Sequence, residues 1–502
     1  MFLKKWIMGL VFSLPFIVHA ELVLPPIFSS NMVLQREIEV PIWGTASPDE
    51  KITVTFMTQE KSTKADSQGK WMVKLDSLTV DFLEHDLVVE GSLNTIRLTN
   101  IMIGDVWICG GQSNMQMSID RPLHDHYDPS VVVSDFTNIR IKMTHNYQPV
   151  NQSDMVMDWH EPTPETIAYF SLVGFFFGKE LNQNLGIPIG LIEAARGGTG
   201  ISKWLTPEGA AEDEFFNESP EQYLLHIAPT IPFAIKGIIW YQGENDSRSA
   251  QQRRHYGRRL KTLINGWREK WGQGNFPFYS VQLPGIKRNN FDTKEVREGQ
   301  RLSLSLENTG IAVTIDLSLA VHPSRIDYDL HPSNKEGISK RLALLALGEA
   351  YNQDIVHMGP MYESMSVNGN ELTLKFSNTG SKLVVRDDDY SEFKIAGEDD
   401  IWQQATGRVE GDHIILSSGE VDFPTKATYA WSDYPVPSLF NEDSIAGSPF
   451  NTSSDNQLPS NVFGCGDERY KEYSKSVTVD DPTRCIELDS SSLILSADDP
   501  GN

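Results

Sequence analysis

Four short polar blocks of the sequence carry residue types that together can transfer an acyl group to water. They are Gly-Gly-Gln-Ser at 110–113, Arg-Gly-Gly-Thr at 196–199, Gln-Gly-Glu-Asn at 242–245 and Asp-Leu-His-Pro at 329–332. In chain order they offer a serine hydroxyl, a glycine-rich turn, side-chain amides, and a histidine beside a carboxylate. Acyl transfer needs a nucleophile, a base and N–H donors for an oxyanion, so the ordered set predicts an esterase-type site.

The first three blocks supply the candidate nucleophile and oxyanion donors. Ser113 offers its hydroxyl and its own N–H, and two glycines before it permit a tight turn. Gly197 and Gly198 can turn backbone N–H groups toward an oxyanion. Gln242 or Asn245 can add a side-chain amide. Taken alone, each block is also compatible with an ordinary turn or helix cap.

The fourth block supplies the candidate base. His331 is predicted to lie in a loop, with Asp329 two residues before it. A histidine oriented by a carboxylate is the general-base half of a serine triad. Ser333 and Glu336 have the spacing of a capping box, which predicts that a helix begins directly after the histidine.

Apolar runs and helical periodicity predict the elements that hold these blocks. Short apolar runs alternate with helical patterns, which indicates an α/β domain with a parallel sheet covered on both faces. Ligands of such sheets bind at the carboxyl ends of the strands. The runs are Ile101–Cys109, Ile187–Ala195, Ala234–Tyr241, Phe276–Leu283 and Ile311–Leu317, and the predicted helices are Ser171–Asn184 and Gln251–Trp271.

The flanking regions have alternating strand patterns instead, as at Ile52–Phe56, Trp71–Leu75 and Glu371–Phe376, and predict antiparallel β-structure. The full prediction is a signal peptide at 1–20, an N-terminal β domain at 21–96, the α/β domain at 97–352, a C-terminal β segment at 353–455 and a flexible tail at 456–502.

The N-terminus has the pattern of a signal peptide. Lys4 and Lys5 precede an apolar run from Trp6 to Val18, and Ala20 follows at a suitable cleavage position. We therefore expect a protein exported to the periplasm or the cell exterior, without membrane contact after cleavage. The formal charge of −25 argues against a nucleic-acid partner, and the mean hydropathy of −0.32 argues against a multispan membrane protein.

Cysteine and histidine usage predicts neither a disulfide scaffold nor a metal site. Cys465 and Cys485 can pair in an oxidising compartment, whereas Cys109 ends an apolar run and is predicted to be a core residue. His124 and His126 have no third ligand motif nearby. We expect no cofactor, and the oligomeric state stays open.

The ordered blocks resemble those of the sialate O-acetylesterase family, carbohydrate esterases of the SGNH hydrolase superfamily. The resemblance rests on 110–115, 197–199, 235–244 and 329–332, and it extends to Asn31–Arg36, Ile42–Gly44, Ala430–Trp431 and Ser448–Phe450 outside the catalytic region. It implies a flavodoxin-like SGNH hydrolase sheet with an N-terminal β domain and a C-terminal β segment.

The resemblance also implies the catalytic residues. Ser113 is the expected nucleophile and His331 the expected base. Family members commonly place the acid three residues before the histidine, where this chain has Tyr328. Asp329 matches the Asp-x-His-Pro form of this family, with Asp327 as a fallback and a Ser–His dyad as a third option.

The expected oxyanion hole combines the N–H groups of Ser113 and Gly198 with the side chain of Gln242. Asn245 stands where the family commonly has serine, so it is an alternative amide donor. Arg196 stands where the family often has tryptophan, and it is either a substrate contact or part of a structural salt bridge. The remaining expected substrate contacts are Gln112, Asn114 and Glu244.

The expected function is that of a serine esterase that removes O-acetyl groups from sugars. The expected substrates are 9-O-acetylated sialic acids. Acetyl-xylan or another plant or microbial polysaccharide is the alternative. A catalytically inactive carbohydrate-binding protein and a sugar acetyltransferase are two further interpretations of the same residues.

Overall fold

The computed structural model describes residues 20–121, 124, 126–134, 138–144, 158–213, 218–317, 330–453, 463–464 and 479–480. Several predictions therefore concern positions outside the described residues. These are the signal peptide up to residue 19, the carboxylates Asp327 and Asp329, and the cysteines Cys465 and Cys485.

The N-terminal region is built from antiparallel strands, as the sequence predicts. Strands β3, β4 and β6 form one sheet, which the first half of the long strand β7 joins, and β2 pairs with β5. Alternate residues of these strands are buried because one face of each strand meets the core. The bounds are β1 Val33–Gln35, β2 Val40–Thr45, β3 Lys51–Phe56, β4 Gln59–Lys64, β5 Lys70–Leu75, β6 His85–Glu90 and β7 Thr95–Gly111.

The middle region alternates strands and helices. The predicted helices at 171–184 and 251–271 are confirmed as α4 and α6, with each end within one residue. The strands are β8 Ile139–Met143, β9 Ile189–Ala195, β10 Gly237–Tyr241, β11 Phe278–Val281 and β12 Thr309–Ala312. The helices are α1 Ser113–Gln116, α2 Pro129–Val132, α3 Pro164–Ile167, α4 Leu172–Leu185, α5 Pro207–Ala211, α6 Ala250–Trp271, α7 Lys294–Leu302 and α8 Lys335–Leu345.

The second half of β7 is the centre of a parallel sheet with the order β8-β9-β7-β10-β11-β12. Without the edge strand β8, the chain order across the sheet is 2-1-3-4-5, a doubly wound order. Strands β8 to β11 are buried along their whole length, which is why they read as continuous apolar runs. The α/β class with a central parallel sheet is confirmed. In this order, ligands bind between β7 and β10 at the carboxyl edge.

Helices cover this sheet in two contacting pairs, α4 with α8 and α6 with α7. Glycines bring the second pair together, since a Cβ added to Gly257 would lie 2.9 Å from the Cα of Gly299. One apolar core extends without interruption from the N-terminal strands into this layer. Phe28 of the N-terminal region, for example, packs against Phe233 with ring centroids 5.6 Å apart.

The C-terminal region returns to antiparallel pairing in two four-stranded sheets, β13-β14-β19-β18 and β17-β16-β20-β22, with β15 paired to β21. It has its own apolar cluster. The bounds are β13 Met361–Asn368, β14 Glu371–Ser377, β15 Leu383–Val385, β16 Phe393–Ala396, β17 Gln403–Gln404, β18 Thr406–Glu410, β19 His413–Ser417, β20 Lys426–Tyr429, β21 Leu439–Asn441, β22 Phe450–Asn451, β23 Phe463–Gly464 and β24 Val479–Asp480.

The last apolar run of the α/β region, at 311–317, only begins as a strand. β12 ends at Ala312, and a short 3₁₀ turn follows at Ile315–Leu317. Val313 and Ile315 belong to the C-terminal cluster. The run is apolar because its residues alternate between two clusters: Ile311, Val313 and Ile315 pack in the C-terminal cluster, whereas Ala312 and Leu317 pack with the main core.

None of the helices in the described part of the chain is long and apolar enough to cross a membrane.

A buried carboxylate ties β1 to β7. Asp105 is completely buried, and it accepts hydrogen bonds from Gln35 Nε2 at 2.7 Å and from Arg36 Nε and Nη2 at 3.1 and 3.0 Å. Removing one partner of such a pair leaves the other groups without an acceptor.

We expect Asp105→Ala to lower the free energy of unfolding by about 3–5 kcal/mol, measured by urea denaturation. The matched control is Asp86→Ala, which removes a partly exposed carboxylate paired with the exposed Arg97. It should cost no more than about 1 kcal/mol. Equal losses in the two variants would contradict the structural role of Asp105.

Candidate active site

The end of β7 positions the candidate nucleophile at the switch point of the sheet. Gly111 ends the strand with a φ of 139°, and a Cβ there would lie 2.1 Å from the carbonyl oxygen of Tyr241 on β10. Only glycine permits this approach. The chain then turns through Gln112, and Ser113 is the first residue of α1.

Ser113 and His331 meet at this edge. The distance between Ser113 Oγ and His331 Nε2 is 3.0 Å, and both residues are partly exposed. The histidine lies in the loop before α8, as predicted. The capping prediction is wrong, because Asn334 rather than Ser333 caps α8 and accepts a hydrogen bond from Gly337 N–H at 2.9 Å.

The turn after β9 lies against the serine. A Cβ added to Gly197 would be 3.4 Å from Ser113 Cβ. The N–H of Gly197 donates to Gln116 Oε1 at 2.8 Å, whereas no described residue accepts a hydrogen bond from the N–H of Ser113 or Gly198. Gly198 has a φ of 75°, in the left-handed region that glycine adopts readily. These two N–H groups can therefore serve an oxyanion.

Gln242 is part of the interior. It is fully buried, and its Nε2 donates to Asp246 Oδ2 at 2.5 Å, to Thr199 O at 3.1 Å and to Gln112 Oε1 at 3.2 Å. Its amide protons are thus engaged within the protein, and the contribution of Gln242 to an oxyanion hole stays a prediction. The side chain of Asn245 is partly exposed, and its backbone N–H donates to Gln112 Oε1 at 3.3 Å.

A buried hydrogen-bonded cluster connects the serine block to the histidine loop. Asn114 Nδ2 donates to Glu244 Oε1 and, at 3.0 Å, to the carbonyl of Leu330. Lys335 Nζ donates to Asn114 Oδ1 at 2.6 Å. Leu330 and Lys335 lie on either side of His331, so Asn114 fixes the loop that presents the imidazole. We call Asn114, Glu244 and Lys335 the buried clamp.

Three of the expected substrate contacts lie in the interior. Gln112, Asn114 and Glu244 are 3%, 0% and 1% exposed, and their polar groups bond to other interior residues. These bonds hold the candidate site together, and a contact of the three residues with substrate stays a prediction. Arg196 is exposed. The hydrogen bond from Lys203 lowers the pKa of nearby Glu221, and the positive charge of Arg196 adds a smaller contribution in the same direction.

The interior location also changes the acidity of the site. Burial raises the pKa of Glu244 to about 7, although the hydrogen bond from Asn114 and the charge of Lys335 act in the opposite direction. Burial likewise raises the pKa of Asp246 to about 6 against the hydrogen bond from Gln242. Two carboxyl groups behind the serine thus titrate near neutral pH.

Sequence reasoning missed Lys335. A lysine in the first turn of a helix is unfavourable to the helix dipole, and here it is also completely buried. Such a residue needs a specific acceptor, which Asn114 provides. A cation at this position, four residues after the candidate base, is the signal that could have identified it.

The other candidate ligands and thiols have structural roles. In the described ranges, no group of three or more His, Cys, Asp or Glu side chains is arranged to hold a metal ion. His124 is buried with Nδ1 2.7 Å from the carbonyl of Ser118, and the His126 and Tyr127 rings pack 4.1 Å apart. Cys109 is confirmed as a core residue, and burial raises the pKa of its thiol.

Comparison with known proteins agrees with this geometry. A family model described as carbohydrate esterase, sialic acid-specific acetylesterase, matches residues 103–334. Sialate O-acetylesterase of Homo sapiens is 29% identical over 390 residues, which cover 68% of this chain and 73% of the relative. The enzyme of Mus musculus is 27% identical over 411 residues, which cover 66% of this chain and 74% of that relative. The crystal structure of a carbohydrate acetylesterase from Xanthomonas citri is 31% identical with a TM-score of 0.77, and the match covers 86% of this chain and all of that one.

The protein is therefore a carbohydrate esterase, an enzyme that hydrolyses carboxylic esters. Within that class, the chain belongs to the sialate O-acetylesterase family. The predicted enzyme class and family are confirmed, and the interpretation as an inactive carbohydrate-binding protein is set aside.

The raised pKa of Glu244 predicts a pH-dependent stability. The folded protein holds a proton that the unfolded chain releases above pH 4.5, so stability falls as the pH rises from about 4.5 to 7. Glu244→Gln keeps an oxygen acceptor for Asn114 but cannot ionise. Between pH 4.5 and 7, the difference in free energy of unfolding between Glu244→Gln and wild type should change by about 3 kcal/mol in favour of the variant. Urea denaturation at several pH values measures this difference.

The control is Glu398→Gln, which changes an exposed glutamate and should differ from wild type by a constant amount. A Glu244→Gln difference that does not change with pH would contradict the buried, partly neutral carboxyl.

Proposed function

We propose that this carbohydrate esterase removes acetyl groups from sugars through an acetyl-enzyme formed on Ser113, with His331 as the base. One observation carries the proposal. The serine Oγ and the imidazole Nε2 are 3.0 Å apart at the carboxyl edge of the sheet.

The reaction follows from this arrangement. Neutral His331 takes the Ser113 proton as Oγ bonds to the acetyl carbonyl carbon, because an alcohol is a weak nucleophile without a base. The N–H groups of Ser113 and Gly198 bind the resulting oxyanion. Protonated His331 then gives its proton to the sugar oxygen as the C–O bond breaks. Water, deprotonated by His331, attacks the acetyl-enzyme, and acetate leaves as Oγ regains a proton.

The orienting carboxylate is proposed to be Asp329. Its support is the Asp-x-His-Pro spacing, with Asp327 as the fallback. A Ser–His dyad is the remaining arrangement. In that case the buried clamp, through the hydrogen bond from Asn114 to Leu330, would hold the loop of the base without a triad acid.

The proposed substrates are 9-O-acetylated sialic acids. The description of the matching family model as sialic acid-specific supports this choice. Arg196 is exposed in the same turn as Gly198, and its charge suits a sialic acid carboxylate. Acetyl-xylan and related polysaccharides are the alternative, which a neutral binding site would favour. The proposed location is outside the cytoplasm, supported by the signal-peptide pattern of residues 1–20.

We expect Ser113→Ala to reduce acetate release by at least about 10³-fold without changing the melting temperature. The assay compares O-acetylated sialic acid, acetyl-xylan and an aryl acetate, and Ser130→Ala is the control at an exposed serine. Residual turnover near wild type would refute the nucleophile. Faster release from acetyl-xylan than from the sialic acid would favour the alternative substrate.

The two neighbouring amides should behave differently. Asn245→Ala is expected to lower kcat by about 10²-fold or more, because it removes a partly exposed amide at the site. Gln242→Ala should instead destabilise the fold by about 1–3 kcal/mol, because buried Asp246 loses a donor. Steady-state kinetics and urea denaturation of both variants test this. An unchanged kcat for Asn245→Ala would exclude it as an oxyanion donor.

A further inference from the structure

Helix α6 has a charge opposite to that of the protein. Seven of its 22 residues are Arg or Lys and one is acidic, whereas the whole chain has 43 basic and 68 acidic residues. Arg254, Arg258 and Lys261 follow one another at helical spacing and share one face with Gly257. That face meets α7, since Gly257 is the residue that contacts Gly299.

A cavity of about 670 Å³ lies along this face. It is bordered by α6, α7 and the C-terminal β segment, which contributes Trp431, Asn451 and Ser453. Its volume lies within the range of small-molecule sites, roughly 300–1,000 Å³. Neither Ser113 nor His331 lines it, so it is separate from the candidate active site.

The cavity has an excess of positive charge. The carboxylates of Glu295 and Glu298 have basic partners, Arg253 Nε at 3.0 Å and Arg301 Nη2 at 2.5 Å. Arg258 Nη2 lies 3.9 Å from Asp213 Oδ1, whereas no carboxylate in the described part of the chain forms an ion pair with Arg254 or Lys261. Burial lowers the pKa of Lys261, and no carboxylate acts against that shift. An anion bound in the cavity would supply the missing negative charge.

The remaining lining fits a sugar ring. Trp431 is partly exposed, and it also lines a smaller cavity of about 250 Å³ together with Trp402, Lys394 and Glu392. An indole offers a flat apolar surface to the C–H face of a sugar. Asn451, which lines both cavities, can donate and accept hydrogen bonds with hydroxyl groups.

We propose that these residues, Arg254, Arg258, Lys261 and Trp431, form a second glycan site, the cationic groove. It binds a carboxylate-bearing sugar unit, with the carboxylate on the cations and the ring on the indole. The choice of a sugar as ligand rests on the proposed function, whereas the excess charge of the groove does not. A glycan held there stays near the enzyme between turnovers, which raises the local concentration of acetylated units.

Calorimetric titration of the Ser113→Ala protein tests the groove without catalysis. The probes are an unacetylated sialic acid tetramer, a xylose tetramer as the neutral sugar, and inorganic phosphate. We expect the sialic acid tetramer to bind with an affinity that falls as salt is added. In the Arg254→Glu/Lys261→Glu variant, this affinity should be at least 10-fold lower. The control Lys64→Glu/Lys70→Glu has the same net charge change at exposed lysines of the N-terminal strands and should keep the affinity.

Any of three results would overturn the proposed groove. The affinity for the sialic acid tetramer could be unchanged by the Arg254 and Lys261 reversals, the xylose tetramer could bind equally well, or phosphate could bind as tightly as the sialic acid tetramer. If the double reversal does not fold, Arg254→Gln/Lys261→Gln serves for the same comparison. Aryl acetate hydrolysis separates the two proposals. Charge-dependent binding without Ser113-dependent hydrolysis refutes the proposed function alone, and hydrolysis without charge-dependent binding refutes the groove alone.

Discussion

The geometry of the proposed catalytic pair, Ser113 and His331, depends on one buried amide. Ser113 and His331 are 218 positions apart in the chain, and no continuous element joins them. Asn114 connects the two segments, because it follows the serine directly and bonds to Leu330 and Lys335 around the histidine. A buried polar group is costly unless all of its partners are present, so this amide permits one arrangement of the loop. The distance between the Ser113 hydroxyl and the His331 imidazole is thereby set by contacts in the interior.

Hydrophobic periodicity was sufficient to predict most of the architecture. Runs at 187–195 and 234–241 became buried parallel strands because both faces of such strands are covered. The run at 311–317 was harder to interpret, since it serves two cores. Its apolar residues indicate that the segment is buried, but they do not indicate which of the two clusters each residue joins.

The sequence predicts which residue types form the site, but it does not predict which of their side chains face the cleft and which face the interior. Gln242 and Asn245 are two amides in one short block, and the sequence does not tell which one faces the cleft. Gly243 lies between them with a φ of 136°, and the chain turns there so that Gln242 remains inside. The same holds for Asn114, whose burial depends on partners more than two hundred residues away. Long-range contacts of this kind leave no local pattern.

Strand β7 belongs to two sheets, and this limits where recombination could join the N-terminal strands to another enzyme. Its 17 residues run from the antiparallel N-terminal sheet to the centre of the parallel one, where they end at the glycines before Ser113. A recombination event at residue 96 would divide a strand and expose its hydrogen-bonding edge. The N-terminal strands are therefore poorly suited to exchange between unrelated enzymes. Among the described residues, the C-terminal segment shares no strand with the parallel sheet, and its contacts to the α/β region are made by side chains such as Val313 and Ile315.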